Sequence, residues 1–159
     1  MWIKWLPPVV FIVKINVDGA SRGNPGESIR GGIFRDHEGS FLFGFSCYFG
    51  IASNMKAKLL VIQQVVSYAK DHNLRSLWIE SDSKMAVEIL NKSCSYPWKV
   101  LGIVDEITKA FEDFDITITH THREGNIVAD SLANFGCDER KDEVLFCTVC
   151  YYKLRSCMV

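Results

Sequence analysis

The stretch that decides the fold is residues 17–26, which read VDGASRGNPG. The residues before it are mostly β-branched and aromatic, and this pattern predicts a buried first strand from Val9 to Val17. Asp18 follows at the end of this strand, and the Gly, Asn and Pro residues of positions 19–26 are typical of a turn. A carboxylate at the end of a buried strand is a candidate functional group, because ligand sites gather where the connections leave a sheet.

Two further strands and a helix follow the turn. We expect the strands at Gly31 to Asp36 and at Ser40 to Phe49, joined by a tight turn. Strands joined by such short turns are antiparallel neighbours in a sheet. After them the apolar residues recur at a spacing of three or four, which predicts a helix capped by Ser53 or Asn54 and ending near His72.

The second half of the chain alternates strands with helices. The predicted elements are a strand at Ser76 to Glu80, a helix capped by Ser81 or Asp82 and ending at Leu90, a helix from about Val100 to Phe111, a strand at Ile116 to His120 and a helix from Asn126 to Gly136. The order β-β-β-α-β-α-α-β-α predicts an α/β fold with one five-stranded mixed sheet, its first three strands antiparallel, flanked by helices.

We expect residues 1–139 to form this single domain. Residues 140–159 show no clear pattern and are predicted to be a diverged C-terminal tail, in which Leu145 to Leu154 could form a strand.

Composition is that of a globular protein. The chain has 159 residues, of which 48% are hydrophobic and 23% charged, and its net charge is −1. These values exclude a disordered segment and a strongly cationic domain, so nucleic acid would have to bind at a local patch. Six cysteines without a framework spacing indicate reduced thiols, and we expect a protein of the nucleus or cytoplasm that is not secreted. No apolar run approaches the ~20 residues of a membrane span, and we expect a monomer without a membrane partner.

Three aspartates are the candidate catalytic and metal-binding residues. Asp18 ends the first strand, Asp82 follows the fourth strand, and Asp130 lies one turn into the last helix. If the first and fourth strands are neighbours, the first two carboxylates meet, and the last helix presents the third from the side. Carboxylates gathered at one point repel each other unless cations neutralise them, so the cluster predicts Mg²⁺ or Mn²⁺. Each acid alone has a plainer explanation, as a turn residue, a helix cap or a solvated helix acid.

Three motifs in this order resemble a known family. VDGASRGNPG resembles the first-strand motif of ribonuclease H, and IESDSKMAVEIL (residues 79–90) resembles its fourth strand and following helix. HTHREGNIVADSLANFG (residues 120–136) is similar to its closing motif. Together with GGIFRDHEG (residues 31–39), the motifs are most similar to the plant retroelement-derived, reverse-transcriptase-like ribonuclease H family. The resemblance covers roughly residues 5–136.

The resemblance implies a ribonuclease-H-like fold and hydrolysis of the RNA strand of an RNA–DNA hybrid with two divalent ions. By motif position, Asp18 would bridge the two Mg²⁺ or Mn²⁺ ions, while Asp82 and Asp130 would each hold one side. Gly19, Ser21 and Asn54 would lie near the hybrid backbone.

Side-chain chemistry adds to this set of substrate-binding candidates. The Asn54 amide offers both a donor and an acceptor to sugar edges. Arg123 carries a positive charge that could reach a phosphate. Four lysines, at positions 56, 84, 92 and 99, lie in the predicted helices or the loop that carries Trp98, and they are either a grip on the DNA strand or a solvated surface.

Lys58 is the main departure from the family pattern. The family places a fourth carboxylate, a Glu, at this position in a motif like TNNxAE, and residues 53–58 here read SNMKAK. No acid occurs between Glu38 and Asp71, so the helix offers no substitute. The Lys58 ammonium could turn to solvent, or it could pair with the neighbouring aspartates in place of a metal. In either case we expect one ion site to be weakened and cleavage to be impaired.

Three functions remain open from the sequence. The first is a metal-dependent hybrid ribonuclease whose activity is impaired by Lys58. The second is a catalytically inactive module that binds RNA–DNA hybrid or double-stranded RNA. The third is a retroelement remnant without present function, which the lost Glu and the Cys-rich tail would both suit.

Overall fold

The computed structural model describes residues 4–131 and 144–146. Its elements are β1 (Val13–Gly23), β2 (Gly26–Arg35), β3 (Phe41–Ala52), α1 (Asn54–Asp71), β4 (Ser76–Ser81), α2 (Lys84–Leu90), α3 (Leu101–Phe111), β5 (Asp115–His120) and β6 (Val144–Phe146). Short 3₁₀ turns cover Trp98–Val100 and Arg123–Asn126, and residues 127–131 are helical and are named α4 here. The remainder of the predicted last helix lies outside the described residues.

The strands form one sheet in the order β5-β4-β1-β2-β3-β6. β1, β2 and β3 are successive antiparallel neighbours, while β1 with β4 and β4 with β5 are parallel pairs. The predicted five-stranded mixed sheet with an antiparallel first half is therefore confirmed. β6 adds a sixth strand that pairs antiparallel with β3, at the start of the tail segment that could form a strand. The rest of that segment lies outside the described residues.

The first hairpin differs from the prediction. β1 starts at Val13 rather than Val9 and continues to Gly23, where the pair Gly23↔Gly26 closes a two-residue turn. Most of residues 19–26 therefore lie in strands, because the ladder between β1 and β2 satisfies their backbone groups despite the turn-forming sequence. Asp18 consequently lies in the middle of β1. The prediction that Asp18 ends the first strand is therefore wrong.

The core lies between the sheet and the helices. α1 buries one long face against β1, β2 and β3, and the shared cluster includes Ile15, Val17, Phe34, Phe45, Leu59, Ile62 and Val65. Burial of several such side chains, at roughly 1.5–3 kcal/mol each, supplies most of the stability of this packing. Within the described ranges, no helix is long and apolar enough to cross a membrane.

Two serines cap the helices that border the site. Ser53 Oγ accepts a hydrogen bond from Lys56 N at 3.2 Å and starts α1, as one of the two predicted caps. Ser83 Oγ accepts from Ala86 N at 3.3 Å and starts α2. The predicted caps Ser81 and Asp82 are therefore wrong by one or two residues. Since Ser83 serves the helix, the Asp82 carboxylate is available for another partner.

Candidate active site

The parallel pairing of β1 with β4 brings the first two candidate aspartates together. Val17↔Ser81 is the last pair of this ladder, and Asp18 and Asp82 are the next residues along each chain. The Asp18 side chain is 2% exposed and the Asp82 side chain 11%, so both carboxylates are largely removed from water. Buried carboxylates need a cation or several donors, because their desolvation is otherwise costly.

Lys58 supplies that cation. Its Nζ lies 2.6 Å from Asp18 Oδ1 and 2.8 Å from Asp82 Oδ1, and its side chain is 18% exposed. The sequence left two orientations open for the ammonium, toward solvent or toward the aspartates. In the structure it turns toward the aspartates and bridges them. Burial by itself lowers the pKa of Lys58, but the two aspartates raise that pKa above its ordinary value, so the side chain is an ammonium at neutral pH.

Asp130 completes the group from α4. Burial raises the pKa of Asp18 above its ordinary value, Lys58 opposes that shift, and a hydrogen bond and charge repulsion from Asp130 add to it. The two carboxyls are therefore near neighbours, and the effect of burial on the pKa of Asp18 exceeds the opposing effect of the ammonium. Asp18 thus neighbours Asp130 directly and Asp82 through Lys58, and the catalytic and metal-binding roles of the three aspartates remain predictions.

As arranged, these residues do not fit the two-ion centre that the resemblance implies. Divalent ions of this class need carboxylate oxygens turned toward them. Here one oxygen of Asp18 and one of Asp82 face the Lys58 ammonium instead. Among the described residues, no three His, Cys, Asp or Glu side chains are grouped so that they could hold a metal ion.

Ser21 and Asn54, two of the predicted substrate-binding residues, are hydrogen-bonded to each other. Ser21 N donates to Asn54 Oδ1 at 2.9 Å, and Ser21 Oγ donates to the carbonyl of Ala52 at 2.7 Å. Asn54 is exposed at the start of α1, and within the described part of the chain its side-chain NH₂ has no partner. The pair therefore ties β1 to α1 beside the site and leaves one amide donor facing solvent, and its contact with a hybrid stays a prediction.

Gly19 and Arg123 have different surroundings. A Cβ at Gly19 would overlap the carbonyl group of Ala57, so this glycine lets β1 approach α1 closely. Arg123 is exposed in the 3₁₀ turn that precedes α4, and no ion pair to the aspartates is found for it in the described region. Their proposed roles in substrate binding also remain predictions.

Two of the four lysines noted in the sequence border a common groove. The groove has a volume of about 540 Å³ and includes Phe49, Lys56 and Lys99 in its lining. Trp98, the residue before Lys99, is 81% exposed. Cations beside exposed aromatic rings suit the backbone and bases of a nucleic-acid strand.

A buried polar network behind the aspartates was missed by sequence reasoning. Asn126, 1% exposed, donates from Nδ2 to the Val17 carbonyl at 2.6 Å. Asn16 donates from Nδ2 to Asn126 Oδ1 at 3.2 Å and to Glu80 Oε1 at 3.0 Å. The network anchors the segment leading into α4, and so fixes where Asp130 enters the site. The available signal was the polar alternation at positions 14, 16 and 18 of a strand that is otherwise apolar.

Lys14 extends this network away from the site. Its Nζ lies 3.1 Å from Glu80 Oε2 and 3.9 Å from the centre of the Trp78 ring, and its side chain is 1% exposed. Burial lowers the pKa of Lys14, and Glu80 opposes that shift. Trp5 donates from Nε1 to Asn16 Oδ1 at 2.9 Å, which orients the Asn16 amide. The N-terminal segment thereby helps to set the geometry behind Asp18.

Comparison with known proteins places this chain and its fold in a family. Residues 16–136 match the family model described as Reverse transcriptase-like. The chain is 36% identical over 137 residues to the "Putative ribonuclease H protein" of Arabidopsis thaliana, over 84% of this chain and 22% of that protein. The chain thus spans about a fifth of the length of that relative.

Solved structures agree with this assignment. Ribonuclease H1 of the halophilic archaeon Halobacterium salinarum has a TM-score of 0.78 and 26% identity, covering 80% of this chain and 98% of that one. LC11 ribonuclease H1, solved in complex with an RNA/DNA hybrid, has a TM-score of 0.70 and 21% identity, covering 80% of this chain and 98% of that one. At the latter identity the likeness shows the fold alone.

Proposed function

This chain belongs to the reverse-transcriptase-like family of ribonuclease-H-like domains, and from this membership we propose that it binds RNA–DNA hybrids and cleaves their RNA strand far more slowly than a chain with Glu at position 58. The fold and family are the premise, while the substrate and the loss of rate are the proposal. The observation that carries it is the Lys58 ammonium between Asp18 and Asp82.

Binding is supported by the surface around the carboxylates. The Asn54 side-chain NH₂ faces solvent at the start of α1. Lys56 of the same helix and Lys99 of the 3₁₀ turn line one groove. With a net charge of −1, the whole chain does not attract nucleic acid, so this local patch must supply the contacts. The LC11 ribonuclease H1 structure, with the same fold, holds an RNA/DNA hybrid.

Slow cleavage is supported by the charge at position 58. The Glu of the family motif would attract a divalent ion, whereas the Lys58 ammonium repels it. The ammonium also hydrogen-bonds to the Asp18 and Asp82 oxygens that the ion would need as ligands. Glu at position 58 would remove the ammonium and add a fourth carboxylate, a set that suits Mg²⁺ or Mn²⁺. We propose these ions as the cofactor of the Lys58→Glu variant, and only as weakly held by the wild-type chain.

The test measures binding and cleavage separately. A labelled RNA–DNA hybrid is titrated with wild type at several salt concentrations, and its cleavage is followed in Mg²⁺ and in Mn²⁺. We expect salt-dependent binding by wild type. We expect Lys58→Glu to cleave about 100-fold faster than wild type, which corresponds to roughly 3 kcal/mol of barrier. Lys58→Glu combined with Asp18→Asn is the matched inactive control.

Each outcome has a clear meaning. Wild type that cleaves as fast as Lys58→Glu would show that Lys58 does not impair the site. A folded wild type that fails to bind hybrid at low salt would remove the binding function. If double-stranded RNA competes better than hybrid, the substrate assignment changes to double-stranded RNA.

A further inference from the structure

The Lys58 ammonium is held in place rather than loosely associated. It makes two short charged hydrogen bonds, to Asp18 Oδ1 at 2.6 Å and to Asp82 Oδ1 at 2.8 Å. Its side chain is 18% exposed, against 2% for Asp18 and 11% for Asp82, so water competes weakly for these bonds. Charged hydrogen bonds in such surroundings are roughly twice as strong as neutral ones.

The backbone also fixes the position of Lys58. The preceding residue, Ala57, is fully buried and its carbonyl lies against Gly19, the residue after Asp18. Lys58 therefore starts from a point of α1 that cannot move away from β1 without breaking this contact. The ammonium therefore occupies a defined place between the middle of β1 and the end of β4.

Position 58 sets the charge of the cluster. With lysine, the ammonium contacts Asp18 and Asp82 while Asp130 lies beside Asp18, whereas Glu at this position would give four carboxylates and no cation. The substitution thus changes the charge at one point by two units. A polyanion approaching the cluster without metal meets much less repulsion from the lysine form.

We infer that Lys58 is a resident cation which takes over the charge neutralisation otherwise provided by a divalent ion, so that this site engages nucleic acid without divalent metal. The inference rests on the proposed function and adds that binding is independent of Mg²⁺. A divalent ion therefore should not stabilise the folded wild-type chain around Asp18 and Asp82.

The experiment compares two proteins in two buffers. Wild type and Lys58→Glu bind a hybrid whose RNA strand carries 2′-O-methyl groups, which blocks cleavage, in EDTA or in Mg²⁺ at equal ionic strength. We expect the Kd of wild type to differ less than about twofold between the buffers. Lys58→Glu should bind about tenfold more weakly than wild type in EDTA and recover in Mg²⁺. Lys56→Glu, exposed on the same helix, should weaken binding equally in both buffers.

A second measurement needs no nucleic acid. The melting temperature of wild type should be unchanged by Mn²⁺, while that of Lys58→Glu should rise, because only the variant has an unneutralised group of carboxylates. If Lys58→Glu does not fold, the Kd of wild type in EDTA and in Mg²⁺ still tests whether binding needs a divalent ion.

The outcomes separate the two proposals. Wild-type binding that requires Mg²⁺, or a wild-type melting temperature that rises with Mn²⁺ as much as that of the variant, overturns the resident cation and leaves the binding function intact. Absence of binding in both buffers overturns the proposed function and the inference with it.

Discussion

Gly19 lies directly against the backbone carbonyl of Ala57, and this contact brings β1 and α1 together beside the carboxylates. A Cβ at Gly19 would overlap that carbonyl group and would lie 3.1 Å from Lys58 N. Because Asp18 precedes Gly19 and Lys58 follows Ala57, the close approach of the two backbones sets the 2.6 Å ion pair between their neighbours. A single small residue thus permits the close approach of the two backbones beside this ion pair.

Gly19→Ala should destabilise the protein by about 2 kcal/mol or more, because the added methyl meets backbone that cannot move aside. Chemical denaturation measures the change. Gly102→Ala is the matched control: Gly102 is the second residue of α3 with nothing within 4 Å of its Cβ position, so alanine there should stabilise by about 0.5 kcal/mol. Equal stability of Gly19→Ala and wild type would contradict the close contact.

Lys58→Met should cost about 2–3 kcal/mol of unfolding free energy. Removal of one partner from a buried pair leaves Asp18 without a cation, and uptake of a proton by Asp18 softens the loss. Lys56→Met, on the exposed side of the same helix, should change stability by less than about 0.5 kcal/mol. Adding Asp18→Asn to Lys58→Met should restore part of the loss, and strict additivity of the two changes would show that the residues do not interact.

Asn126→Ala should destabilise by about 2–3 kcal/mol, because it removes two buried hydrogen bonds, the one to the Val17 carbonyl and the one from Asn16 Nδ2. Asn91→Ala, which removes one partly buried bond to the Ile118 carbonyl, should cost about 1 kcal/mol. Thermal or urea unfolding distinguishes the two. A loss no larger at Asn126 than at Asn91 would argue against the buried network.

Arg30→Met should stabilise the protein by about 1–2 kcal/mol. Arg30 is 2% exposed and uses Nη1 to reach the Leu60 carbonyl, while its Nε and Nη2 are buried without a partner. Burial lowers its pKa to about 10, which indicates that the charge is held at a cost. Urea denaturation of this variant and of Arg75→Met, an exposed control, tests the expectation. Destabilisation at Arg30 would mean that its contact with the Phe49 ring outweighs the cost of burial.

The pH dependence of stability should show an unusual contribution from Asp18. Its pKa is raised in the folded state, chiefly by burial, so below that pKa the folded chain holds a proton that the unfolded chain still releases. The contribution of Asp18 is therefore complete below the ordinary value of 3.8 and is lost as pH rises through the folded pKa. Unfolding free energies of wild type and Asp18→Asn across this range give the difference, and a wild-type contribution that grows with rising pH would contradict the sign.

Much of the fold followed from local sequence patterns. The change of apolar period near Ser53 located α1, and the short turns between the first strands indicated the antiparallel half of the sheet. Strand ends were harder, because pairing between β1 and β2 carried the ladder through residues with turn propensity. β6 rests on pairing with a strand about a hundred residues earlier in the chain, and no local pattern encodes such a partner.

The sequence by itself predicted that Asp18, Asp82 and Asp130 belong to one site and that a lysine stands where the family motif has a fourth carboxylate, because motif order and spacing are properties of the chain alone. Only the tertiary structure decided that Lys58 turns inward and bridges two of the aspartates. A lysine side chain has four rotatable bonds, so its direction depends on what packs around it. Here the contact of Gly19 with Ala57 and the burial of both carboxylates make the inward direction favourable.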